Sequence, residues 1–281
     1  MYVTEEHLRL YREEGYCVIR DFFTQREVAA MRAELARLVH DGLLRNVRTE
    51  GDGKTHSEHL VNLQICPITP KSTFYRALPF HPKIVETVGR LIGNPFVFYL
   101  DQIFLKPAKI GTGTSWHQDN AYFQIGEPLR GIGMWTALHE ATVANGTMHI
   151  VPGSFRGKYP HERDPHSDHH IYCKVPEDRA IPVELPAGGA LFFSFGVAHS
   201  TRDNKSERDR AGLALHFLNV DYIPASVWER KGTYKGFAYL SGPAATGGQV
   251  EYGIRVAGTW EAEVDRMLAS EFADGQAAAH S

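Results

Sequence analysis

Several features of secreted, membrane-spanning and nucleic-acid-binding proteins are scarce in this sequence. Its 281 residues include only three cysteines, Cys17, Cys66 and Cys173, which are widely spaced and form no C-x-x-C pair. We therefore expect buried thiols in a reducing compartment rather than a disulfide framework. No apolar run approaches the ~20 residues of a membrane helix, and the N-terminus lacks the basic and apolar regions of a signal peptide. These observations predict a cytoplasmic protein.

An excess of positive charge is also missing. The chain has 30 Lys and Arg against 33 Asp and Glu, a formal net charge of −3, whereas binding to a nucleic-acid backbone needs a basic surface. We expect a small-molecule substrate, with neither nucleic acid nor membrane as partner, and nothing in the sequence indicates an oligomeric state. Histidine, by contrast, is plentiful with 15 residues, and its side chain ligates metals and titrates near neutral pH.

The first 95 residues alternate between helical and strand patterns. Helices are predicted over Glu5–Glu14 and Pro82–Ile92, with a strand over 16–23 between them. Residues 24–27 (TQRE) form a capping box that begins another amphipathic helix. The polar loop 46–60 is long enough to suggest a lid.

From residue 96 onwards the hydrophobic pattern alternates with a period of two, which indicates strands. We predict strands over Phe96–Lys106, 133–139, 147–151, 189–195 and 210–221, with a tight turn at Asn145-Gly146 and a final helix over 258–272. The pattern predicts a β-barrel or sandwich with helices outside it. We expect a single domain over 1–281, with support at about 1–95, a barrel at about 96–221 and a helical extension at about 222–281.

Two His-x-Asp pairs offer an imidazole and a carboxylate two residues apart. His117 and Asp119 begin an aromatic, strand-like region, where residues two apart point to the same face and can bind one metal ion. The second pair, His166 and Asp168, lies in the His-rich segment 161–170, which has no period-two pattern. We expect that segment to be a solvated loop or lid, with substrate contact or adventitious metal binding as the alternatives.

A third metal ligand is predicted at His199. It ends a predicted strand over 190–199, which places it at the mouth of a barrel. Together with His117 and Asp119 it would complete a 2-His-1-carboxylate face, which leaves positions open for other ligands and favours non-haem Fe(II). The alternative is a histidine buried in the core for packing alone.

Arg210 begins the next predicted strand and shares a face with Gly212 and Ala214. An inward arginine beside two small residues leaves a hole and needs an anionic partner. A dicarboxylate ligand would fill the hole and pair with the guanidinium. Arg202 and Arg208 lie in the turn before this strand, where we expect them to be solvated.

These motifs together resemble the phytanoyl-CoA dioxygenase family of Fe(II)/2-oxoglutarate oxygenases. The resemblance runs from residues 15–23 (GYCVIRDFF) to about residue 221, and includes His117-Gln-Asp119, 135–138 (WTAL), 145–154 (NGTMHIVPGS), and His199 followed by Arg210. It implies a double-stranded β-helix, a jelly-roll or cupin-like barrel, with flanking helices. It also implies that Fe(II), 2-oxoglutarate and O₂ serve as cofactor and cosubstrates in hydroxylating an unactivated C–H bond, with release of succinate and CO₂.

The resemblance further assigns individual residues. It implies that His117, Asp119 and His199 bind iron and that Arg210 holds the distal carboxylate of 2-oxoglutarate, with no separate catalytic base. It places four more residues in the cosubstrate pocket: Gln102, Trp135, Thr201 and Asn62. Tyr122, Phe123 and His216 are candidate substrate contacts. Core packing is the alternative for Trp135, and a packed rim for the two aromatic residues after Asp119.

Two other functions remain open at this point. A Zn²⁺-dependent hydrolase on a cupin-like barrel could use the same His-His-Asp set with one open position, although it gives no account of an inward Arg210. A non-catalytic ligand-binding barrel is the second alternative, which the presence of all three ligands disfavours. The substrate and the carbon that is oxidised are not indicated by the sequence.

Overall fold

Antiparallel strands form most of the barrel region, and helices flank them at both ends of the chain. A computed structural model describes residues 2–229, 238–247 and 259–278. The helices are α1 Glu5–Glu14, α2 Gln25–His40, α3 Thr73–Ala77, α4 Pro82–Ile92, α5 Asn120–Phe123, α6 Ala225–Glu229 and α7 Trp260–Ala278. The strands are β1 Tyr16–Ile19, β2 Arg45–Asn46, β3 Leu63–Ile65, β4 Phe96–Lys106, β5 Thr114–His117, β6 Gly131–Ala137, β7 Met148–Ile150, β8 His161–Arg163, β9 Ile171–Cys173, β10 Ile181–Val183, β11 Ala190–Ser194, β12 His199–Thr201, β13 Arg210–Asn219 and β14 Ala238–Tyr239.

Two antiparallel sheets make up the barrel. The larger has the strand order β1-β11-β6-β13-β4-β3-β2, with β14 also pairing with β4, and the smaller has the order β10-β7-β12-β5. Side chains from both sheets line one cavity. The prediction of a mainly β fold with flanking helices is confirmed.

The N-terminal helices begin where their capping residues predict. The Thr24 side chain accepts a hydrogen bond from the backbone of Glu27, and the Glu27 side chain accepts one from the backbone of Thr24, so α2 starts with the predicted capping box. The predicted strand over 16–23 is shorter than expected, because β1 ends at Ile19 and the chain then turns towards this cap.

The strand predicted over 190–199 is in fact two strands in different sheets. The first, β11, ends at Ser194, and His199 begins β12 rather than ending a strand. Val197 donates to the Ser194 carbonyl across the intervening turn, and a Cβ on Gly196 would lie 2.8 Å from Phe155, so the chain reverses where only glycine fits. At the other end of the barrel, β13 stops at Asn219 instead of residue 221 because residues 220–222 form a 3₁₀ turn.

The His-rich segment 161–170 is more ordered than a solvated loop. Its first three residues form β8, which pairs as a hairpin with β9, the strand that directly follows the segment. Residues 46–60 pack against its tip, with the Thr49 amide donating to the His166 carbonyl and the Gly53 amide to the Pro165 carbonyl. The segment is therefore a packed hairpin and not a fully solvated loop, while the expectation of a lid stays a prediction; the two segments form one layer.

Helices α2, α3 and α7 pack together against the larger sheet. The Trp260 indole of α7 donates to Glu27 Oε1 at 2.7 Å, which joins the last helix to α2. This helix was predicted over 258–272 and is found over Trp260–Ala278, while residue 258 lies outside the described residues. No helix among the described residues is both long and apolar enough to cross a lipid bilayer.

The three cysteines are all free, but they are not all buried. Cys17 and Cys173 lie in the interior as expected, whereas Cys66 is exposed. The expectation is wrong for Cys66 because it directly follows the last residue of β3, where the chain leaves the sheet.

Candidate functional site

The three predicted metal ligands converge where β5 and β12 pair. His117 ends β5 and His199 begins β12, and the two residues are partners in register. Asp119 Oδ1 lies 3.5 Å from His117 Nε2 and 3.6 Å from His199 Nε2. One ligand atom from each residue falls within 4.8 Å of the others, which is close enough for one metal ion to bind all three.

The reason for this convergence differs in part from the sequence argument. We expected His117 and Asp119 to share a face of one strand, but β5 ends at His117. Asp119 has helical dihedral angles, φ −57° and ψ −31°, and caps the start of α5. The carboxylate therefore reaches the site through a strand-to-helix turn and not through the alternation of a strand.

Backbone carbonyls fix the orientation of both histidine rings. His117 Nδ1 lies 2.8 Å from the Ser115 carbonyl, and His199 Nδ1 lies 3.0 Å from the Val197 carbonyl. Because a carbonyl oxygen only accepts, each Nδ1 must carry its proton, and each Nε2 is left with a lone pair facing Asp119. This is the arrangement of histidines that ligate a metal through Nε2.

The electrostatics of the site keep the ligands in their metal-binding forms. Burial alone would raise the pKa of Asp119, but the nearby imidazoles of His199, His117 and His216 hold it well below its usual value. Burial, together with the neighbouring His117, lowers the pKa of His199 to about 4. At neutral pH the site therefore offers a carboxylate and a neutral imidazole.

This donor set fits iron. Two neutral imidazole nitrogens and one carboxylate on a single side of the site make up the 2-His-1-carboxylate arrangement of non-haem Fe(II) oxygenases. Asp119 Oδ2 is buried and has no hydrogen-bond partner, although His216 Nε2 lies 3.4 Å from it. A buried carboxylate oxygen in that state is costly unless a cation offsets it.

The second His-x-Asp pair does not form a metal site among the described residues. Asp168 makes ion pairs with Arg45 and with His169, so its carboxylate is already engaged. His166 is exposed and is not grouped with other possible metal ligands. In the part of the chain that the structure describes, His117, Asp119 and His199 are the only group of three or more such side chains close enough to hold one metal ion.

A cavity of about 350 Å³ opens beside the three ligands. Its walls come from both sheets, from α5 and from the β8–β9 hairpin. They include the three metal ligands and most of the predicted pocket residues: Gln102, Trp135, Thr201, Arg210, Tyr122, Phe123 and His216. The sequence therefore identified residues that the fold brings to one cavity from six different elements, with Asp119 in the turn between β5 and α5.

Arg210 is fully buried and lines this cavity. Its Nη2 donates to the Gly146 carbonyl at 2.5 Å, and its guanidinium carbon lies 5.6 Å from the centre of the Trp135 ring. Burial lowers the pKa of Arg210 to about 10, so the guanidinium still carries its charge at neutral pH. A buried cation of this kind is suited to an anionic ligand.

The space beside Gly212 is not the hole that the sequence suggested. A Cβ on Gly212 would lie 2.4 Å from the Trp135 indole nitrogen, so the indole already occupies that space. Trp135 and Ala214 are partners in register, which brings the indole across β13 towards Gly212. The glycine therefore makes room for a tryptophan, and the open space for a ligand lies beyond it, beside Arg210 and Ala214.

The remaining predicted pocket residues are placed unequally. Gln102 lines the cavity and accepts a hydrogen bond from Gln64 Nε2 at 2.9 Å, while the Thr201 hydroxyl accepts one from the Thr114 amide at 3.0 Å. Asn62 is buried but does not line the cavity; its amide nitrogen lies 3.4 Å from the Thr114 hydroxyl. Asn62 is thus one side chain away from the pocket.

Several cavity residues were missed by the sequence argument. Leu100 and Phe104 share the inward face of β4 with Gln102, so strict alternation along that strand would have found them. Tyr99 also lines the cavity because the pairing of β4 with β13 shifts there, with His216 opposite Leu100 and the next residue opposite Phe98. Such bulges re-aim side chains beside active sites.

His169 and His170 also line the cavity, and the sequence indicated them only through substrate contact, an alternative for segment 161–170. Their rings lie 4.0 Å apart. Burial, then the nearby His169 and His117, keep the pKa of His170 well below its usual value. The Tyr122 hydroxyl accepts a hydrogen bond from the Ile171 amide at 2.9 Å and so ties α5 to this hairpin.

We predict that the metal-free His199→Ala variant still folds. The ring lines a cavity and contacts the rings of His117 and Phe193, so its truncation enlarges an existing space. The loss in the free energy of unfolding should stay below about 2 kcal/mol. Phe192→Ala, in the fully buried core, is the comparison and should cost about 3–5 kcal/mol. Thermal unfolding of the metal-free variants measures both, and collapse of His199→Ala with iron binding retained would restore a packing role.

Comparison with known proteins identifies the family. The sequence model of phytanoyl-CoA dioxygenase (PhyH) matches residues 11–212 of this chain. The chain belongs to the phytanoyl-CoA dioxygenase family. With the ligand set around Asp119, this membership makes it a 2-oxoglutarate-dependent non-haem iron dioxygenase.

Similarity to known relatives extends over most of this chain. The chain is 25% identical to phytanoyl-CoA dioxygenase 1 of Oryza sativa subsp. japonica, covering 78% of this chain and 90% of the relative. It is 24% identical to an ectoine dioxygenase of Nocardia farcinica, covering 78% and 79%. The structure of the non-haem α-ketoglutarate-dependent epimerase SnoN superposes with a TM-score of 0.68 at 22% identity, covering 85% and 96%. This likeness confirms the predicted double-stranded β-helix.

Proposed function

We propose that this dioxygenase hydroxylates an unactivated C–H bond of a small organic substrate, and that its predicted site residues have the roles given above. His117, Asp119 and His199 would hold Fe(II), and Arg210 the distal carboxylate of 2-oxoglutarate. One observation carries this proposal: a fully buried arginine and the three ligands line the same cavity. A Zn²⁺ hydrolase has no use for that arginine.

The cosubstrate pocket is built to orient a dicarboxylate. The Arg210 fork would bind the distal carboxylate by paired hydrogen bonds, and the Trp135 indole, which lies across Gly212, forms the wall beside it. Thr201 and Gln102 add polar groups to the same cavity. Asn62 would act from outside it, by holding the Thr114 hydroxyl.

Substrate would bind on the opposite side of the metal ligands. Tyr122 and Phe123 follow Asp119 on α5 and line the cavity, as does His216. Phe123 packs on Phe195 with ring centres 4.4 Å apart, which closes this side of the cavity against water. Burial raises the pKa of Tyr122 to about 12, so its hydroxyl stays neutral and can hydrogen-bond a substrate.

Fe(II) held by His117, Asp119 and His199 would supply the oxidation, in which 2-oxoglutarate and O₂ would be consumed to give succinate, CO₂ and the hydroxylated product. The protein needs no separate general base for this chemistry. Its residues bind and orient the two substrates and exclude water. A single-domain enzyme over 1–281 in the cytoplasm is part of the proposal, and the free cysteines support a reducing compartment.

Labelled oxygen tests the proposed outcome. Turnover of a substrate in ¹⁸O₂ should place one labelled atom in succinate and one in the product, as mass spectrometry would show. Candidate substrates are first found by their stimulation of succinate formation above the uncoupled rate. Labelled succinate with an unlabelled, dehydrogenated or epimerised product would contradict hydroxylation while leaving the dioxygenase class intact. SnoN, described as an epimerase, shows that this fold supports another outcome.

A further inference from the structure

A second buried basic side chain, Lys106, lies directly beside Arg210. Lys106 is the last residue of β4, has no exposed surface and is the partner of Arg210 in the pairing of β4 with β13. Partners in register on antiparallel strands point to the same face, so both side chains point inward. Lysine is rarely buried completely without a specific partner.

Lys106 joins two backbone segments that meet behind the pocket. Its Nζ donates to the Arg202 carbonyl at 2.6 Å and reaches the Gly146 carbonyl at 3.4 Å. The Gly146 carbonyl is also the acceptor for Arg210 Nη2. One backbone oxygen is therefore shared by the two buried basic side chains, and the other acceptor of Lys106, the Arg202 carbonyl, directly follows Thr201 in the pocket wall.

The backbone at Gly146 packs tightly against the chain at Arg202. Gly146 has φ +77°, and a Cβ there would lie 2.0 Å from the Arg202 carbonyl oxygen. The turn therefore contacts the chain directly after β12. Lys106 Nζ donates to one carbonyl on each side of this contact, that of Gly146 and that of Arg202. Burial, and then the charge of Arg210, keep the pKa of Lys106 well below its usual value, which exposed Asp203 partly offsets.

We propose that Lys106 is a positioning residue for 2-oxoglutarate, which acts through Arg210 by holding the Gly146 carbonyl in place. Without Lys106 the Gly146 turn loses its link to the end of β12, and the guanidinium loses the fixed acceptor that aims it into the cavity. The effect is directed at the distal carboxylate alone, because Arg210 is the group that moves. This inference rests on the role proposed for Arg210.

Two 2-oxo acids separate positioning from general support. 2-Oxoglutarate and pyruvate share the 2-oxo carboxylate end, but pyruvate has no distal carboxylate. Titration of each into anaerobic Fe(II) protein, followed by the visible absorption of the complex, gives both dissociation constants without turnover. Lys106→Met should weaken 2-oxoglutarate roughly ten-fold and leave pyruvate within about two-fold, because only the first ligand uses Arg210.

The controls come from the same region. Lys109→Met removes an exposed lysine that pairs with Glu207 and should change neither constant. Adding Lys106→Met to Arg210→Met should weaken 2-oxoglutarate no further than Arg210→Met alone, since the two residues act through one contact. If Lys106→Met does not fold, Lys106→Gln keeps a donor in place and should show a smaller loss that is again confined to 2-oxoglutarate.

Two results would overturn the proposal. Equal weakening of both ligands would mean that Lys106 only supports the fold, and unchanged 2-oxoglutarate binding would mean that it has no role in the pocket. Failure of the underlying assignment is distinguishable, because Arg210→Met would then bind 2-oxoglutarate as tightly as the unmodified protein does.

Discussion

Asp119→Ala and His117→Ala should each lower Fe(II)-dependent succinate formation by more than about 100-fold. Each change removes one of three ligands that lie within 4.8 Å of one another. Loss of a residue that only orients a metal ligand typically lowers metal affinity or activity by about 10–100-fold, so loss of a ligand itself should lower them more. Succinate formed at saturating Fe(II) and 2-oxoglutarate measures the effect, and iron content after gel filtration separates lost binding from lost turnover.

The second His-x-Asp pair provides the matched control. Asp168→Ala removes the partner of Arg45 and His169, and His166→Ala changes an exposed ring, so both variants should bind iron normally. If Asp168 were required for iron binding and Asp119 were not, the second pair and not the first would hold the iron.

Arg210→Met should weaken 2-oxoglutarate by about thirty-fold or more, with Fe(II) binding close to normal. The guanidinium is fully buried, so its removal leaves the distal carboxylate without a partner in a water-poor pocket. Losing one partner of a buried charge pair costs about 2–5 kcal/mol, and each ~1.4 kcal/mol is tenfold in affinity. Arg210→Lys should restore only part of the loss, because an ammonium group cannot form the paired contacts of a guanidinium.

Two nearby arginines test whether this effect is specific. Arg202 is exposed and pairs with Glu177, and Arg208 is also exposed, as the sequence predicted. Arg202→Met and Arg208→Met should change the affinity for 2-oxoglutarate little. Calorimetric titration with Mn²⁺ in place of iron gives the dissociation constants. Loss of binding in either control, with Arg210→Met unaffected, would mean that another arginine holds the cosubstrate.

The sequence predicted β4, α1 and α4 to the residue because their signals are local. Periodicity, a capping box and flanking turn residues act within a few positions of one another. Arg210 could be predicted as inward-facing for the same reason, since alternation along β13 is not interrupted between it and His216. Its burial beside the metal ligands follows from that one periodicity.

Other parts of the site depend on contacts between distant segments. The Trp135 indole fills the space at Gly212 only because β6 and β13 are neighbours, which no spacing along the chain reveals. His170 reaches the cavity because the hairpin that carries it packs beside β5, and Asp119 reaches the metal ligands through a turn. In each case the decisive partner is far away in sequence.

The absorption spectrum of the anaerobic protein tests the central claim most directly. One equivalent of Fe(II) followed by 2-oxoglutarate should give a visible metal-to-ligand charge-transfer band, because the bidentate 2-oxo acid binds iron held by His117, Asp119 and His199. The band should saturate at one iron per chain. A protein that binds Fe(II) but develops no band with 2-oxoglutarate, and that instead shows Zn²⁺-dependent hydrolysis, would contradict the account.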